Sequence, residues 1–226
     1  MAKNKQTKKN EAIALDVQLS KGEAFIEKNL KKILIVLAAA IVVVAGIFIW
    51  RNHQQKQNAE AADLLAKSQV AFAQEQYEQA LNGDGAQSMG FLKIIDEYGS
   101  TDAGNLAKAY AGICYAELNK VDDAIKMLES FSTKDDQMVS PSAIAALGNC
   151  YVKKGDTQKG IDLLLKAAKT ADNDAVTPVF LLQAGQLYES LNQQDKALEL
   201  YQQIKDKYFR SPLSAEIDKY IERATK

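Results

Sequence analysis

Three in-register copies of a short residue pattern constrain the fold of this chain more than any other feature. Each copy has a glycine, a tyrosine three residues later and a small residue twelve residues after the glycine. The copies are Gly112, Tyr115 and Ala124; Gly148, Tyr151 and Gly160; and Gly185, Tyr188 and Ala197. The glycines are 36 and 37 residues apart, a period typical of a helix-turn-helix unit repeated in a solenoid. The small residues then predict close contacts between helices.

The three prolines of the chain indicate where helices begin. Each follows a hydroxyl residue, in the pairs Ser140-Pro141, Thr177-Pro178 and Ser211-Pro212. A hydroxyl side chain is a favoured N-cap, and proline is tolerated at the first helical position because its missing N–H would be unpaired there. No stretch alternates apolar and polar residues over the length of a strand, so the predicted fold class is all-α.

The repeats resemble those of the tetratricopeptide repeat (TPR) family, whose units contain Trp-x2-Leu-Gly-x2-Tyr followed by Ala-x3-Phe. The closest copy has Ile144, Leu147, Gly148 and Tyr151, followed by Gly160 and Leu164. The third copy has Leu181, Ala184, Gly185 and Tyr188, followed by Ala197 and Tyr201. Ile144 stands in place of the tryptophan, Lys108 has that place in the first copy, and the late proline of the family is missing from all three. The resemblance implies a TPR-like solenoid over residues 83–226 that ends in a C-terminal capping helix.

A membrane anchor precedes the repeats. Residues 33–50, from Ile33 to Trp50, contain no charged or strongly polar side chain. As a helix these residues are about 27 Å long, enough to cross the hydrocarbon core of a bilayer. Thirty-two residues precede the segment and bulky residues end it, which is unlike a cleaved signal peptide. We therefore predict a single transmembrane helix.

Charge predicts the orientation of this helix. Residues 1–32 contain eight lysines and four acids, whereas few basic residues follow Trp50 closely. The positive-inside rule then places the N-terminus in the cytoplasm and the repeats on the far side. Residues 1–20 are predicted to be a disordered basic tail and residues 21–32 a juxtamembrane amphipathic helix. Residues 51–226 have 20 basic and 25 acidic residues, which excludes nucleic-acid binding by the repeats.

Residues 51–82 are predicted to form a stalk that becomes the first helix of a degenerate repeat. No glycine or proline interrupts the chain between Arg51 and Leu81, so one helix is expected there. Its expected packing face comprises Leu65, Val70, Phe72, Ala73, Tyr77 and Ala80. The cluster Asn82, Gly83, Asp84 and Gly85 predicts a loop, and a second helix near residues 88–98 would complete the unit.

Catalytic and metal chemistry are not expected. The single histidine, His53, follows the membrane segment, away from any nucleophile and acid that could form a catalytic site. One histidine and two distant cysteines do not have the spacing of zinc ligands. Cys114 and Cys150 hold equivalent positions in adjacent repeats, where stacked helices lie about 8–10 Å apart. Since a disulfide needs Cα atoms within about 7 Å, we predict free buried thiols. No cofactor and no small-molecule substrate is predicted.

The TPR resemblance implies a groove lined by the first helix of each unit. The residues that it indicates are Leu106, Ala109, Ile113, Glu117, Asn149, Val152, Lys153, Val179, Leu182, Gln186 and Glu189. Some TPR proteins bind a terminal carboxylate with basic and amide side chains in this groove. Here Ala109, Ala145 and Leu182 stand where cations would be needed, so extended or partly unfolded chains are the expected ligands.

The order of segments resembles a bacterial family, the ancillary subunit of the SecYEG translocon. The shared order is Phe25 and Asn29 before Lys31, a single span that ends at Trp50 and Arg51, an alanine-rich stalk and a TPR domain. The lysine-rich tail differs from the short acidic tail of that family. The resemblance implies a single-pass inner-membrane protein with a periplasmic TPR domain. Its implied partners are the Sec translocon, periplasmic chaperones and unfolded secretory clients. The alternative is a structural scaffold for an envelope assembly such as outer-membrane biogenesis machinery.

Overall fold

The computed structural model describes the side chains of residues 28–85 and 87–226, and regular structure in this part of the chain is helical, without strands. The helices are α1 (Ala2–Ala73), α2 (Tyr77–Asn82), α3 (Phe91–Tyr98), α4 (Asp102–Glu117), α5 (Val121–Ser130), α6 (Val139–Lys153), α7 (Thr157–Ala171), α8 (Thr177–Ser190), α9 (Gln194–Lys207), a 3-10 helix (Pro212–Ala215) and α10 (Ile217–Ala224). The all-α prediction is confirmed. The predicted tail, residues 1–20, and most of the predicted juxtamembrane helix, residues 21–32, lie outside the described residues.

The predicted transmembrane segment lies within α1. From Lys28 onward, α1 is the one helix of the described residues that is long and apolar enough to cross a membrane. No side chain of its apolar window is buried, and Val42 and Phe48 are 71% and 73% exposed. Contiguous apolar side chains are stable in hydrocarbon and unfavourable in water. The chain separates into two compact units, Met1–Gln55 and Lys56–Lys226, and the second contains the repeats.

A residue in the left-handed conformation marks the turn inside each repeat. Asn119, Gly155 and Asn192 have φ angles of 57°, 90° and 56°. They separate α4 from α5, α6 from α7 and α8 from α9. Glycine and asparagine adopt this conformation at the lowest cost. The predicted TPR-like solenoid is therefore confirmed, with three complete helix pairs.

An incomplete fourth unit precedes the three. Its turn residue is Glu75, with φ of 59°, between α1 and α2. Ser68 and Ala80 lie seven residues before and five residues after Glu75, at the spacing of the small residues in the later copies, and both are fully buried. The second helix of this unit is divided, because α2 ends at Asn82 and α3 begins only after residues 83–90.

The stalk helix is shorter than the sequence predicted. α1 ends at Ala73, whereas we expected the helix to continue to Leu81. The turn at Glu75 breaks it, and glutamate gives no sequence signal for such a turn. Val70, which we placed on the packing face, is 57% exposed, and Ala73 is exposed as well. Leu65 is buried as expected.

The helices of one repeat approach closely at the paired glycines. A Cβ atom added to Gly148 would lie 2.9 Å from the carbonyl oxygen of Gly160, and the reverse addition gives the same distance. Both distances are shorter than van der Waals contact, and the obstructing atom belongs to the backbone. The close contact predicted from the repeated small residues is present at this pair.

Two of the three predicted helix starts are displaced. Ser211 Oγ accepts a backbone N–H at 3.3 Å and caps the 3-10 helix, as predicted. Ser140 and Thr177 instead lie inside the first turns of α6 and α8 and are buried. Upstream side chains take the capping role: Asp136 Oδ1 accepts a backbone N–H of α6 at 2.6 Å, and Asn173 Oδ1 accepts one before α8 at 3.0 Å.

Three clusters of buried apolar side chains follow one another along the repeats. The first joins the end of α1 to α2, α3 and α4, the second joins α4, α5 and α6, and the third extends from α6 to α10. Ile217 and Ala224 of α10 are buried in the last cluster. Because each unit packs on its neighbours alone, one face of the first helices α4, α6 and α8 is left to form a surface.

Candidate functional site

A cleft lies between the first helices of the two central repeats. α4 packs against α6, and their C-terminal halves enclose a volume of about 380 Å³. Five predicted groove residues line it: Ile113, Glu117, Asn149, Val152 and Lys153. Its remaining lining residues are Ala116, Ala146 and Cys150. We call this the inner cleft.

The inner cleft combines an apolar wall with two opposite charges. Ile113 and Val152 provide hydrocarbon from α4 and α6, while Glu117 and Lys153 are exposed at its edge. Lys153 Nζ also donates to the carbonyl oxygen of Ala116 at 3.2 Å, which links the two helices. Apolar contacts with a few polar groups suit a polypeptide segment, whose backbone needs hydrogen bonds and whose side chains need apolar contact.

The neighbouring repeat extends this surface. Val179 and Gln186 of α8 are exposed and Leu182 is half-buried. Asn149 Nδ2 lies 3.4 Å from Gln183 Oε1, so a hydrogen bond connects α6 to α8. These α8 residues do not line the inner cleft itself.

Two predicted groove residues contact other parts of the solenoid and do not line the groove. Ala109 is fully buried in the cluster between α4 and α6, so it cannot contact a ligand. A first helix packs on two neighbours, and this position faces one of them. The carboxylate of Glu189 accepts hydrogen bonds from Arg223 of α10, at 3.0 Å from Nε and 2.5 Å from Nη2. Its side chain is 14% exposed, so it stabilises the end of the solenoid.

Leu106 lines a different cleft, at the N-terminal end of α4. This second cleft has a volume of about 530 Å³, and we call it the loop cleft because residues 131–138 between α5 and α6 form one wall. Its lining residues are Asp102, Asn105, Leu106, Phe131, Lys134, Asp136, Gln137, Met138 and Val139. Only Leu106 was predicted. No repeat pattern extends over the loop, so the sequence contained no signal for the other residues.

Hydrogen bonds fix the wall of the loop cleft. The buried side chain of Asn105 donates to the carbonyl oxygen of Ser132 at 2.8 Å and accepts the Ser132 N–H at 2.9 Å. Asp136 accepts backbone N–H groups at the start of α6 and the hydroxyl of Ser140 at 2.6 Å. Asn173 Nδ2 donates to the carbonyl oxygen of Gln137 at 2.9 Å. The loop is therefore held to α4, to α6 and to the next repeat.

Burial suppresses the reactivity of the two cysteine thiols in the central repeats. Cys114 and Cys150 are buried and unbridged. Desolvation by burial raises the pKa of Cys114 to about 12, and it also raises the pKa of Cys150, against the effect of Lys153. Because the thiolate is the reactive form, neither thiol is suited to nucleophilic catalysis. Among residues 28–85 and 87–226, no group of three or more His, Cys, Asp or Glu residues could hold a metal ion.

Comparisons with known proteins identify the fold of the repeats. A search of curated proteins finds no match. Solved structures with the same fold include the TPR-like repeats of a Podosopora anserina protein described as a kinesin light chain, with a TM-score of 0.57 and 15% identity over 73% of this chain and 85% of that one. A second structure of those repeats has the same TM-score and 16% identity, over 73% and 86% of the two chains. A structure of MamA has a TM-score of 0.49 and 21% identity, over 73% and 89%.

The family match covers most of the chain. Residues 23–207 match the tetratricopeptide repeat-like domain, which is well over half of the 226 residues. Proteins with such repeats are in general non-enzymatic scaffolds for protein–protein interaction. The chain belongs to the tetratricopeptide repeat-like domain family.

Proposed function

We propose that this protein is a membrane-anchored docking protein that binds polypeptide segments in its inner cleft. The observation that supports this most directly is the convergence of Ile113, Glu117, Asn149, Val152 and Lys153 on one cleft between two repeats. These residues offer apolar contact, an amide and both signs of charge. Such a set fits an extended chain better than it fits a small charged metabolite, which would need several converging cations or anions.

The proposed place of action is the periplasmic side of a bacterial inner membrane, next to the Sec translocon. The apolar segment of α1, the excess of lysine before it and the segment order that resembles the ancillary translocon subunit all support this location. In this proposal the protein receives newly translocated chains and passes them to periplasmic chaperones. A tether keeps the cleft near the exit site, which raises the effective concentration of the cleft for emerging chains.

Site-specific photo-crosslinking in intact membranes tests the proposal. A photoreactive amino acid at Glu117, on the edge of the inner cleft, should crosslink to secretory chains and translocon subunits identified by mass spectrometry. The same amino acid at Lys126, which is exposed on α5 and does not line the cleft, is the matched control and should give few such products. Equal products at both positions would place the interaction elsewhere on the chain. Exclusive recovery of outer-membrane assembly proteins at Glu117 would replace the translocon role with the scaffold role.

A second test removes apolar contact from the cleft. The double variant Ile113→Ala with Val152→Asp should lose affinity for an unfolded secretory protein while its far-ultraviolet circular dichroism stays unchanged. Both side chains are only partly buried, but Ile113 packs against the cluster between α4 and α6 and Val152 lies against Gly160 of α7. An unchanged melting temperature is therefore required as well, so that a loss of affinity is not caused by unfolding. Unaltered affinity would move the binding site to another face of the solenoid.

A further inference from the structure

The loop cleft has the features of a binding pocket and lies outside the groove that the sequence predicted. Its volume of about 530 Å³ is within the range of ligand pockets, roughly 300–1,000 Å³. Leu106, Phe131, Met138 and Val139 give it hydrocarbon on several sides. Met138 is 51% exposed at its edge. Met138 is the exposed apolar residue of this loop, whereas Phe131 is buried and the residues between them are polar. The flexible thioether of a methionine can adapt to different apolar side chains.

The loop cleft and the inner cleft are two sites along the same helix. Leu106 of the loop cleft and Ile113 of the inner cleft are seven residues apart on α4. Seven residues are two turns of helix, so the two side chains lie on one face and about 10 Å apart. An extended chain covers this distance in about three residues. One segment can therefore occupy both clefts.

Acidic side chains outnumber basic side chains at the loop cleft and in its loop. Among its lining residues and the residues of its loop, three carboxylates, from Asp102, Asp135 and Asp136, accompany one ammonium group, from Lys134. Lys134 Nζ is 2.9 Å from Asp102 Oδ1, so these two charges compensate each other and the net negative charge comes from Asp135 and Asp136. Burial favours the neutral form of Asp136, but hydrogen bonds from Ser140 and from backbone N–H groups outweigh it and lower the pKa. The edge of the cleft therefore stays negative at neutral pH.

We propose that the loop cleft is an anchor pocket for one bulky apolar side chain of a bound polypeptide, in a segment whose flanking residues are lysine or arginine. The apolar wall receives the side chain, and the surrounding carboxylates attract the flanking cations. This inference rests on the proposed function, because it names the sequence class that the docking protein prefers. It adds a contact site that the repeat pattern does not contain.

Peptide binding to the full-length protein tests this proposal. The protein is placed in nanodiscs of phosphatidylcholine, a zwitterionic lipid that does not attract lysine-rich peptides, and empty nanodiscs serve as the blank. The probes are fluorescent thirteen-residue Gly/Ser peptides with a central Phe between two Lys on each side. Matched probes replace Phe by Ala, or Lys by Glu. We expect the Lys-flanked Phe probe to bind at least tenfold more tightly than either matched probe, with an affinity that falls as salt concentration rises.

Two variants separate the loop cleft from other surfaces. Met138→Ser should weaken binding of the Phe probe at least threefold and leave the Ala probe unchanged, since it removes apolar contact at an exposed position. Leu191→Ser is the matched control, because Leu191 is also an exposed apolar residue, 38% exposed, and does not line either cleft. Asp102→Asn with Asp135→Asn should reduce the preference for Lys over Glu flanks.

The outcomes distinguish this proposal from the proposed function. Equal affinity for the Phe and Ala probes, or for Lys and Glu flanks, overturns the anchor pocket. If Val152→Asp lowers peptide affinity and Met138→Ser does not, the anchor pocket is also overturned. That result supports peptide binding in the inner cleft. Absence of binding by every probe overturns the anchor pocket as well, and the crosslinking at Glu117 then decides the proposed function separately.

Discussion

At the scale of single residues, Glu75 is poorly suited to its backbone conformation. It holds the left-handed turn position that asparagine or glycine holds in the other repeats. A residue with a long side chain loses about 1 kcal/mol or more in this conformation. Glu75→Asn should therefore raise the free energy of unfolding by about 1 kcal/mol, measured by urea denaturation of the detergent-solubilised protein.

The reciprocal substitution provides the control for this prediction. Asn192→Glu places glutamate in the same turn of the last repeat, where φ is 56°, and should lower stability by a similar amount. If both substitutions changed stability in the same direction, side-chain contacts would matter more at these turns than the backbone conformation does.

Gly148 is sensitive to substitution for a different reason, namely the closeness of another backbone. Gly148→Leu forces a side chain toward the carbonyl oxygen of Gly160, which is fixed within α7. Overpacking of this kind costs typically about 1–3 kcal/mol, and occasionally more. The melting temperature should fall by several degrees. Gly46→Leu is the matched control, since a Cβ atom at Gly46 meets nothing within 4 Å; an equal effect of both substitutions would rule out the helix contact as the cause.

The two buried thiols should be protected from modification in the folded protein. Burial raises the pKa of Cys114 to about 12 and raises that of Cys150, so both stay protonated at neutral pH. We expect maleimide labelling at pH 7.5 to occur only after denaturation, with two free thiols counted by mass spectrometry. Rapid labelling of the native protein, or a mass two hydrogens lower without any label, would contradict this prediction.

Alkaline pH should lower the free energy of unfolding, because burial raises the pKa of Cys114. The folded pKa of Cys114 lies above the value of about 8.5 for an unfolded thiol. The folded protein therefore binds more protons above that pH, and stability falls as pH rises. Urea denaturation of the detergent-solubilised protein at pH 7.5 and at pH 10 measures this effect, and an equal free energy of unfolding at the two pH values would contradict it.

At the scale of helices, the C-terminal part of α1 belongs to the repeats and caps one of their helices. Asn58 Oδ1 accepts the N–H of Ala103 at 2.9 Å, so a side chain of α1 caps the first turn of α4. Thr101, the N-cap residue of α4, caps the same turn, because its Oγ1 accepts the N–H of Gly104 at 3.0 Å. Removing a cap costs about 1 kcal/mol.

Asn58→Ala should accordingly lower the free energy of unfolding by about 1 kcal/mol. Asn52→Ala is the control, because Asn52 is exposed on the same helix. Denaturant unfolding followed by circular dichroism measures both. Alanine has the higher helix propensity, so Asn52→Ala should leave stability unchanged or raise it slightly. A loss of the same size at both positions would show that the cap by Asn58 is not its cause.

The sequence predicted the elements that repeat and missed those that do not. Gly148 and Tyr151 belong to a pattern with three copies, so their helices could be placed from the period alone. The first repeat has Ser68 where the others have glycine, and its turn contains Glu75, so its pattern was hidden and its first helix was predicted too long. Only the three-dimensional register identifies these residues as equivalent.

The same contrast applies to the candidate site: residues of the inner cleft were predictable from the repeat pattern, and residues of the loop cleft were not. Residues such as Ile113 and Val152 follow from the repeat register, and the structure brings them together. Ala109 was misplaced because a first helix has two buried faces, and the sequence pattern does not say which small residue faces a neighbouring helix. Met138 was missed because the loop between α5 and α6 has no counterpart in the pattern, and its position depends on the hydrogen bonds of Asn105 and Asp136.

At the scale of the whole molecule, the predicted function depends on which side of the membrane holds the repeats. Eight lysines before residue 33 predict a cytoplasmic N-terminus. Both native cysteines are buried and at most 1% exposed, so a new exposed cysteine can report topology without background. Gln158→Cys, at an exposed position on α7, should react with a membrane-impermeant maleimide in intact spheroplasts. Lys5→Cys, in the tail, should react only after lysis. The reverse pattern would place the clefts in the cytoplasm, where they would not meet secretory chains after translocation.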